Sequence, residues 1–333
     1  CSVRRQRQMC IRDSDYSPGR PISHNFMGHF TEFDHREICK DLNIAAWDSY
    51  PLGFLQNMQT IARGDKKLLE DCYNIGDPDF QSYHHDLYRG MGRLWIMEQQ
   101  PGPVNWARYN PIPIAGAVRM WTWEAFAHDA EVVSYFRWRQ APFAQEQMHA
   151  GLMYRNNTPA IGSHEVMQVS NEIQMLNLPE TQKSEIALLH DYEACWITEL
   201  DGQTEDFHYT RLMIDFYKSV RVNGGSLDIV GKNADFAGYK LIIVPSFVHL
   251  ETDTFKKMVS SGAKILAGPR TGIKNRNFQI PENLSLEGLG YKVKRVDALP
   301  YELPVEVEWK GQKGNLHVWR EQGDSSGISE GNS

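Results

Sequence analysis

One carboxylate, Glu98, follows directly on a run of four apolar residues, 94–97. A short continuous apolar run is typical of a strand buried on both faces, as in a parallel sheet. Glu98 is therefore predicted at the carboxyl end of such a strand, which is the end that faces the active site of an α/β barrel. The prolines and glycine of residues 99–106 exclude a helix and predict a rigid loop. A carboxylate held in this way could serve as a glycosidase nucleophile if a second, protonated carboxyl lay about 5 Å away.

Three further groups could share a pocket with Glu98. Tyr50 ends the predicted strand segment 44–50, and Trp106 ends the loop behind Glu98. Glu146 and His149 are three residues apart, so that in a helical turn they would share one face. A metal site would need more ligands at such spacing, and the sequence predicts neither a metal nor a cofactor.

The elements that position these residues alternate between strands and helices. Strands are predicted at residues 22–27, 44–49, 94–98 and 132–138, with helices between them and a last helix at 163–176. The segment 54–80 is predicted to be an irregular surface excursion. This βα repeat predicts a TIM (β/α)8 barrel, but a barrel needs eight strands. Residues 15–180 are therefore predicted to be its C-terminal half.

Several stretches resemble one known family. The segments MEQQPGPVNW at 97–106, WDSYPLG at 47–53 and the stretch 120–151 are similar to glycoside hydrolase family 42. These are retaining β-galactosidases with a barrel fold, commonly homotrimers. The resemblance implies that Glu98 is the nucleophile and that Trp106 stacks on the sugar. It also implies that Glu146 and His149 bind galactose hydroxyls and that Tyr50 lies beside the nucleophile. The alternative is a non-catalytic galactoside-binding or assembly module.

Other charged residues are predicted to be structural. The single Asn-Glu pair, Asn171-Glu172, resembles the family's acid motif but falls inside the predicted last helix. The resemblance therefore implies that the acid lies in the other half of the barrel and that this chain alone is nearly inactive. Glu124 also lies in a helical pattern. Arg137 and Arg139 flank a tryptophan and are predicted to form internal ion pairs. His84-His85, His128 and His164 are predicted to be solvated or capping residues.

A second domain is predicted at residues 181–305. Apolar runs at 186–189, 227–230, 241–245 and 264–267 alternate with helical patterns, which predicts a doubly wound α/β fold. It resembles the amidotransferase-like trimerisation domain of the same family. Glutaminase chemistry is rejected because no cysteine follows the strand at 241–244. Residues 306–333 are predicted to be a short β segment and a disordered tail from 323. Residues 1–14 are predicted to be a non-native or adapter-derived leader.

Composition limits the partners of the chain. The 333 residues include 41% apolar and 23% charged side chains, ordinary values for a globular protein. The net charge of −7 argues against nucleic acid, and no apolar run is long enough to span a membrane. The five cysteines form no CxxC pair, which favours a cytoplasmic location.

Overall fold

A computed structural model describes residues 8–9, 11–13, 15–57, 66–178, 181–205, 207–281 and 290–325. The chain divides into two compact units, residues 1–183 and 184–333. Most of the predicted leader, 1–14, and most of the predicted tail, 323–333, lie outside the described residues, and for those residues both stay predictions. No helix among the described ranges is long and apolar enough to cross a membrane.

Unit 1 contains a parallel sheet in which the strand order follows the chain. Strands β1 (Ser23–Met27), β2 (Ile44–Ser49), β3 (Arg93–Gln99) and β4 (Ala130–Tyr135) each pair in parallel with the next. All six residues of β2 are buried, as expected of a strand covered on both faces. The predicted parallel α/β pattern is therefore confirmed for these four strands, and β4 ends three residues earlier than predicted.

Helices connect these strands. From residue 17 onward, the described helices of unit 1 are α1 (His35–Cys39), α2 (Pro51–Asn57), α3 (Lys66–Cys72), α4 (Pro78–Arg89), α5 (Ala117–Ala127) and α6 (Ile161–Met175). The irregular excursion predicted for 54–80 is wrong in part, because α2 and α3 occupy much of it. At the start of α4, Asp77 accepts a hydrogen bond from the Asp79 amide and Pro78 takes the first helical position.

Helix α4 covers the outer face of β2. Trp47 stacks on His84 and on Tyr88 at 5.4 and 5.7 Å between ring centroids, and its indole donates to His85 at 3.2 Å. His84 and His85 are each 1% exposed, so the prediction that they are solvated is wrong. The aromatic rings of α4 and β2 supply enough apolar contact to bury both imidazoles. Burial lowers the pKa of His84 to about 4, which keeps the ring neutral.

Unit 2 has a second parallel sheet, formed by β5 (Ile186–Leu189), β6 (Asp228–Val230), β7 (Leu241–Val244) and β8 (Lys264–Ala267). In its order, β6-β5-β7-β8, strand β6 lies on one side of β5 while β7 and β8 lie on the other. The chain therefore builds the sheet first in one direction from β5 and then in the other, as in doubly wound sheets. Helices α7 (Tyr192–Leu200), α8 (Tyr209–Arg221) and α9 (Thr252–Ser260) connect the strands. Two antiparallel pairs follow: β9 (Tyr291–Leu299) with β12 (Val318–Ser325), and β10 (Val305–Trp309) with β11 (Gln312–Leu316). Gly323 thus lies in a strand, not in a tail.

Candidate active site

The register between β2 and β3 sets Glu98 beside Asp48. Trp47 pairs with Ile96 while Asp48 pairs with Glu98, so Met97 has no partner in β2. Side chains alternate between the two faces of a strand, and paired residues project from the same face. The extra residue is a bulge that turns Glu98 to the face of Asp48, whereas an unbroken register would turn it away. The predicted strand-end position of Glu98 is confirmed, and the bulge gives it its direction.

Two donors hold the Glu98 carboxylate. The Tyr50 hydroxyl donates to Oε2, and the Asn25 side-chain amide donates to Oε1 at 3.4 Å. Burial, followed by the hydrogen bond to Glu98, raises the pKa of Tyr50 above its usual value, so the phenol keeps its proton and remains a donor. Each oxygen of the Glu98 carboxylate therefore has its own donor, and the two donors fix the position of the group.

Trp106 forms one wall of the site. Its indole meets the Tyr50 ring edge-on at 5.5 Å between centroids, and it packs against Phe54 of α2 at 6.1 Å. The side chain is 36% exposed, which leaves part of its ring open. Gly53 lies beneath it, because a Cβ added there would be 2.8 Å from Trp106 Cζ2. The WDSYPLG motif thus uses its glycine to let the helix approach the indole.

Glu146 and His149 belong to one turn that Arg137 fixes. The Arg137 guanidinium donates to the Glu146 carbonyl oxygen at 2.9 Å and to its Oε2 at 3.1 Å, and the His149 amide donates to the same carbonyl at 3.0 Å. Glu146 has a φ of +58°, a left-handed conformation that costs free energy in a residue other than glycine. The predicted ion pairing of Arg137 is confirmed. Arg139 instead donates to the Asn157 side-chain oxygen at 2.9 Å.

His149 is fully buried beside Tyr50, with 5.8 Å between the ring centroids. Its Nδ1 lies 3.1 Å from the Ala150 carbonyl oxygen, which assigns the proton to Nδ1. Nε2 has no hydrogen-bond partner among the described residues. Burial lowers the pKa of His149, so the ring is neutral and Nε2 offers a lone pair. Nε2 of His149 can therefore accept a hydrogen bond from a ligand, provided that the ligand displaces the side chains that cover it.

Tyr50 is the residue that connects the site. Its hydroxyl contacts Glu98, and its ring contacts those of Trp106 and His149. Glu146 is near enough to raise the pKa of Tyr50 through its charge. The structure therefore brings together all five residues that the sequence selected. Their individual roles stay predictions.

The residues set aside as structural have structural contacts. Glu172 accepts from Arg119 at 3.0 Å and from the Trp123 indole at 2.8 Å. Glu124 accepts from the Ser82 hydroxyl at 2.5 Å. Both carboxylates are thus engaged with neighbouring helices. His128 lies 2.8 Å from Asp86, so it is a hydrogen-bond partner rather than a solvated residue.

Sequence reasoning missed Asn25 and Gly53 and gave Asp48 no role. Asn25 lies in β1 and contacts Glu98 only because β1 and β3 flank β2. Asp48 had a signal, since an acid at the end of a wholly apolar strand is unusual. Gly53 ends the segment WDSYPLG, but nothing in that segment shows that the glycine meets Trp106.

Unit 2 contains a second cluster of charged side chains. Ligand atoms of Asp191, Glu193 and His249 all lie within 4.8 Å of one another, a spacing that could hold a metal ion. The Lys232 ammonium lies 2.6 Å from Glu193 and 3.6 Å from Asp191 and supplies the positive charge there. We therefore assign the cluster as an ion-pair network.

The cysteine of unit 2 does not occupy the position that glutaminase chemistry requires. Cys195 lies within α7 and donates to Glu199 at 3.2 Å, whereas a glutaminase nucleophile would lie at a strand-to-helix turn.

Two protein families match the chain. A family described as β-galactosidase matches residues 3–176, and one described as β-galactosidase trimerisation domain matches residues 184–327. The first match includes most of the segment 1–14, which the sequence analysis predicts to be a non-native leader. Both boundaries agree with the division between the two units at residue 183.

Individual relatives give the same result. A β-galactosidase of a Thermus species is 46% identical over 92% of this chain and 48% of its own length, and one of Thermus thermophilus is 45% identical over the same shares. The crystal structure of a β-galactosidase from the psychrophile Marinomonas ef1 aligns with a TM-score of 0.90 at 42% identity, over 97% of this chain and 51% of that one. A β-galactosidase structure from Halorubrum lacusprofundi gives 0.91 at 32% identity, over 98% and 49%. The chain spans about half the length of these relatives.

Proposed function

Because the chain belongs to the β-galactosidases of glycoside hydrolase family 42, we propose that the protein of which it is part hydrolyses terminal β-galactosides with retention. Glu98 is the proposed nucleophile. The observation that carries this proposal is the pair of donors, Tyr50 and Asn25, that meet the Glu98 carboxylate at the carboxyl end of β3.

In the proposed reaction the Glu98 carboxylate attacks the anomeric carbon from one face of the sugar. The bond from that carbon to the leaving oxygen breaks, and a second carboxyl group donates a proton to that oxygen. Water then attacks the galactosyl ester, gives a proton back to the second carboxyl and releases Glu98. We propose that the second carboxyl comes from a strand other than β1–β4, since Glu124 and Glu172 are engaged elsewhere.

The remaining site residues bind the sugar in this proposal. The open part of the Trp106 ring packs on the apolar face of galactose. Glu146, whose side chain is 46% exposed, accepts hydrogen bonds from sugar hydroxyls while Arg137 holds it in place. A hydroxyl that reaches Nε2 of His149 would satisfy an acceptor that otherwise has no partner.

We further propose that β1–β4 are half of an eight-stranded barrel, with β1 and β4 joined to further strands in the whole protein. In the described sheet β1 and β4 each have only one neighbour, which leaves two edges to be paired. Unit 2 is the proposed assembly domain, with an amidotransferase-like fold, and the whole protein is a proposed homotrimer. This rests on the matched trimerisation family and on the reversed strand order of the second sheet. A cytoplasmic location stays a prediction.

The test is an assay of the whole protein on an aryl β-galactoside. Glu98→Ala should lower kcat by several orders of magnitude, and added azide should restore turnover with α-galactosyl azide as the product, because azide enters from the face that Glu98 vacates. Glu172→Ala is the matched control and should keep activity. Undiminished turnover by Glu98→Ala would contradict the assignment. Tight galactoside binding without turnover in the unsubstituted protein would favour a binding module.

A further inference from the structure

Asp48 is a buried acid directly beside the proposed nucleophile. It is the register partner of Glu98 across β2 and β3, and the bulge at Met97 turns both side chains to one face. The residue is 5% exposed and lies on the same face of the sheet as Glu98, whereas the acid of a retaining glycosidase flanks the scissile bond from the other side. Asp48 is therefore unsuited to protonate a leaving group, and its burial beside Glu98 must have a different role.

The surroundings of Asp48 offer little to an anion. Among the described residues it forms no ion pair, and its Oδ1 has no hydrogen-bond partner. The titratable groups that act on it or feel its charge are Glu98 of β3, Tyr50 after β2 and Tyr88 of α4, and none of them is a cation. The Asn25 side chain of β1 is the one favourable neighbour, through a hydrogen bond.

Two adjacent carboxyl groups without a cation do not both ionise near neutral pH. Glu98 has two donors, Tyr50 and Asn25, and so the negative charge is more stable there. The proton then belongs to Asp48. Burial, and after it the charge of Glu98, raises the pKa of Asp48 to about 8.

We propose, on the premise of the glycosidase function above, that Asp48 is a positioning residue, a neutral carboxylic acid that leaves the negative charge of the pair on Glu98 and leaves Asn25 turned towards Glu98. When Asp48 loses its proton, the new charge repels Glu98 and draws the Asn25 amide away from Oε1, where it is held at only 3.4 Å. A nucleophile displaced by about 1 Å loses up to about a hundredfold in rate. The nucleophilic step should therefore fail as Asp48 ionises.

The kinetic test isolates that step. A 2,4-dinitrophenyl β-galactoside has a leaving group that needs no protonation, so its kcat/KM does not depend on the ionisation of the general acid. In the whole protein kcat/KM should fall at least about tenfold above the Asp48 pKa of about 8. In Asp48→Asn, which mimics the neutral acid, this alkaline limb should disappear. Glu131→Gln, which removes a surface acid paired with Arg93 at the opposite end of the sheet, should keep it.

An infrared measurement separates this inference from the proposed function. Besides the band of the general acid, the wild type should show at pH 7 a C=O stretch of a protonated carboxylic acid that Asp48→Asn lacks, and this second band should vanish as the pH rises through about 8. Its absence at pH 7, or an identical alkaline limb in the wild type and Asp48→Asn, would overturn the proposal. If no variant released dinitrophenol, the glycosidase function would fail, while the infrared signal would still decide whether Asp48 is neutral.

Discussion

Gly53 lies directly under the indole of Trp106, with room for a hydrogen atom and none for a methyl group. A Cβ built on Gly53 would be 2.8 Å from Cζ2 and 3.1 Å from Cζ3 of that ring. Gly53 is also the third residue of α2, where alanine would on propensity alone stabilise a helix by about 0.5–1 kcal/mol. Steric contact and helix propensity thus predict opposite results for one substitution.

Gly53→Ala should displace Trp106 and so raise KM for a β-galactoside, about tenfold if one stacking contact worth about 1.4 kcal/mol is lost. The melting temperature should fall despite the better helix former. KM and thermal unfolding measure the two effects. Gly314→Ala is the control, because nothing lies within 4 Å of its added Cβ and both quantities should stay the same. A stabilised Gly53→Ala with normal KM would show that the indole moves aside freely.

Tyr50→Phe should lower kcat more than it changes KM. The substitution keeps the ring contacts with Trp106 and His149 but removes the hydroxyl that donates to Glu98. Hydrogen bonds to charged groups contribute about 1.5–3 kcal/mol, so we expect kcat to fall by about ten- to a hundredfold. Tyr73→Phe, on an exposed side chain, should leave kcat as it is. A rise in KM alone would assign Tyr50 to sugar binding.

Much of the first sheet could be predicted because its two central strands each contain a run of four apolar residues, 44–47 and 94–97. Residues 44–49 and 94–97 alternate with helical patterns, and such segments are the easiest to assign from sequence. Helix α3 was missed because Lys66–Cys72 has four charged residues and shows no clear apolar stripe. Helix α7 was missed because Tyr192–Leu200 mixes acids with apolar residues, and its N-cap, Asp191, was not recognised.

The composition of the site was predictable and its geometry was not. Glu98 could be placed at a strand end from local sequence alone. The direction of its side chain depends on the bulge at Met97, which exists only when β3 pairs with β2. The contact with Asn25 likewise arises from strands that are 73 residues apart in sequence. Buried polar partners of this kind are set by tertiary pairing, which a single sequence does not reveal.

Two buried histidines should make stability depend on pH. Burial lowers the pKa of His35 to about 3 and that of His84 to about 4, from 6.5. Below pH 6.5 the unfolded chain therefore binds more protons than the folded one, and stability should fall as the pH drops from 6.5 towards 4, by up to about 1.4 kcal/mol per pH unit for each histidine. Urea unfolding at several pH values measures this slope. His35→Phe should reduce the slope, while exposed His164→Gln should not.

In unit 2 the carboxylate of Asp191 caps helix α7. It accepts a hydrogen bond from the Ala194 amide at 2.9 Å and also faces Lys232. Asp191→Asn and Asp191→Ala remove the same charge, but only asparagine can still cap. The alanine variant should therefore be less stable than the asparagine variant by about 0.5–2 kcal/mol. Amide hydrogen exchange in the first turn of α7 should show the difference, and equal protection in the two variants would mean that the charge matters more than the cap.

Arg137 and Glu146 should act as one unit in substrate binding. The guanidinium contacts both the carbonyl oxygen and the carboxylate of Glu146, and so it fixes the turn as well as the side chain. If Glu146 accepts a sugar hydroxyl, Glu146→Gln should raise KM by about ten- to a hundredfold, since a charged hydrogen bond is worth about 1.5–3 kcal/mol. Arg137→Met should raise KM by a similar factor, because it releases Glu146.

The double variant of these two residues decides between a shared role and two separate ones. If Arg137 acts only through Glu146, the combined loss should be close to that of either single change rather than their sum. Arg139→Met is the matched control, since Arg139 is two residues away and donates to Asn157 instead. Its KM should remain that of the wild type. Additive losses in the double variant would mean that Arg137 contacts the substrate by itself.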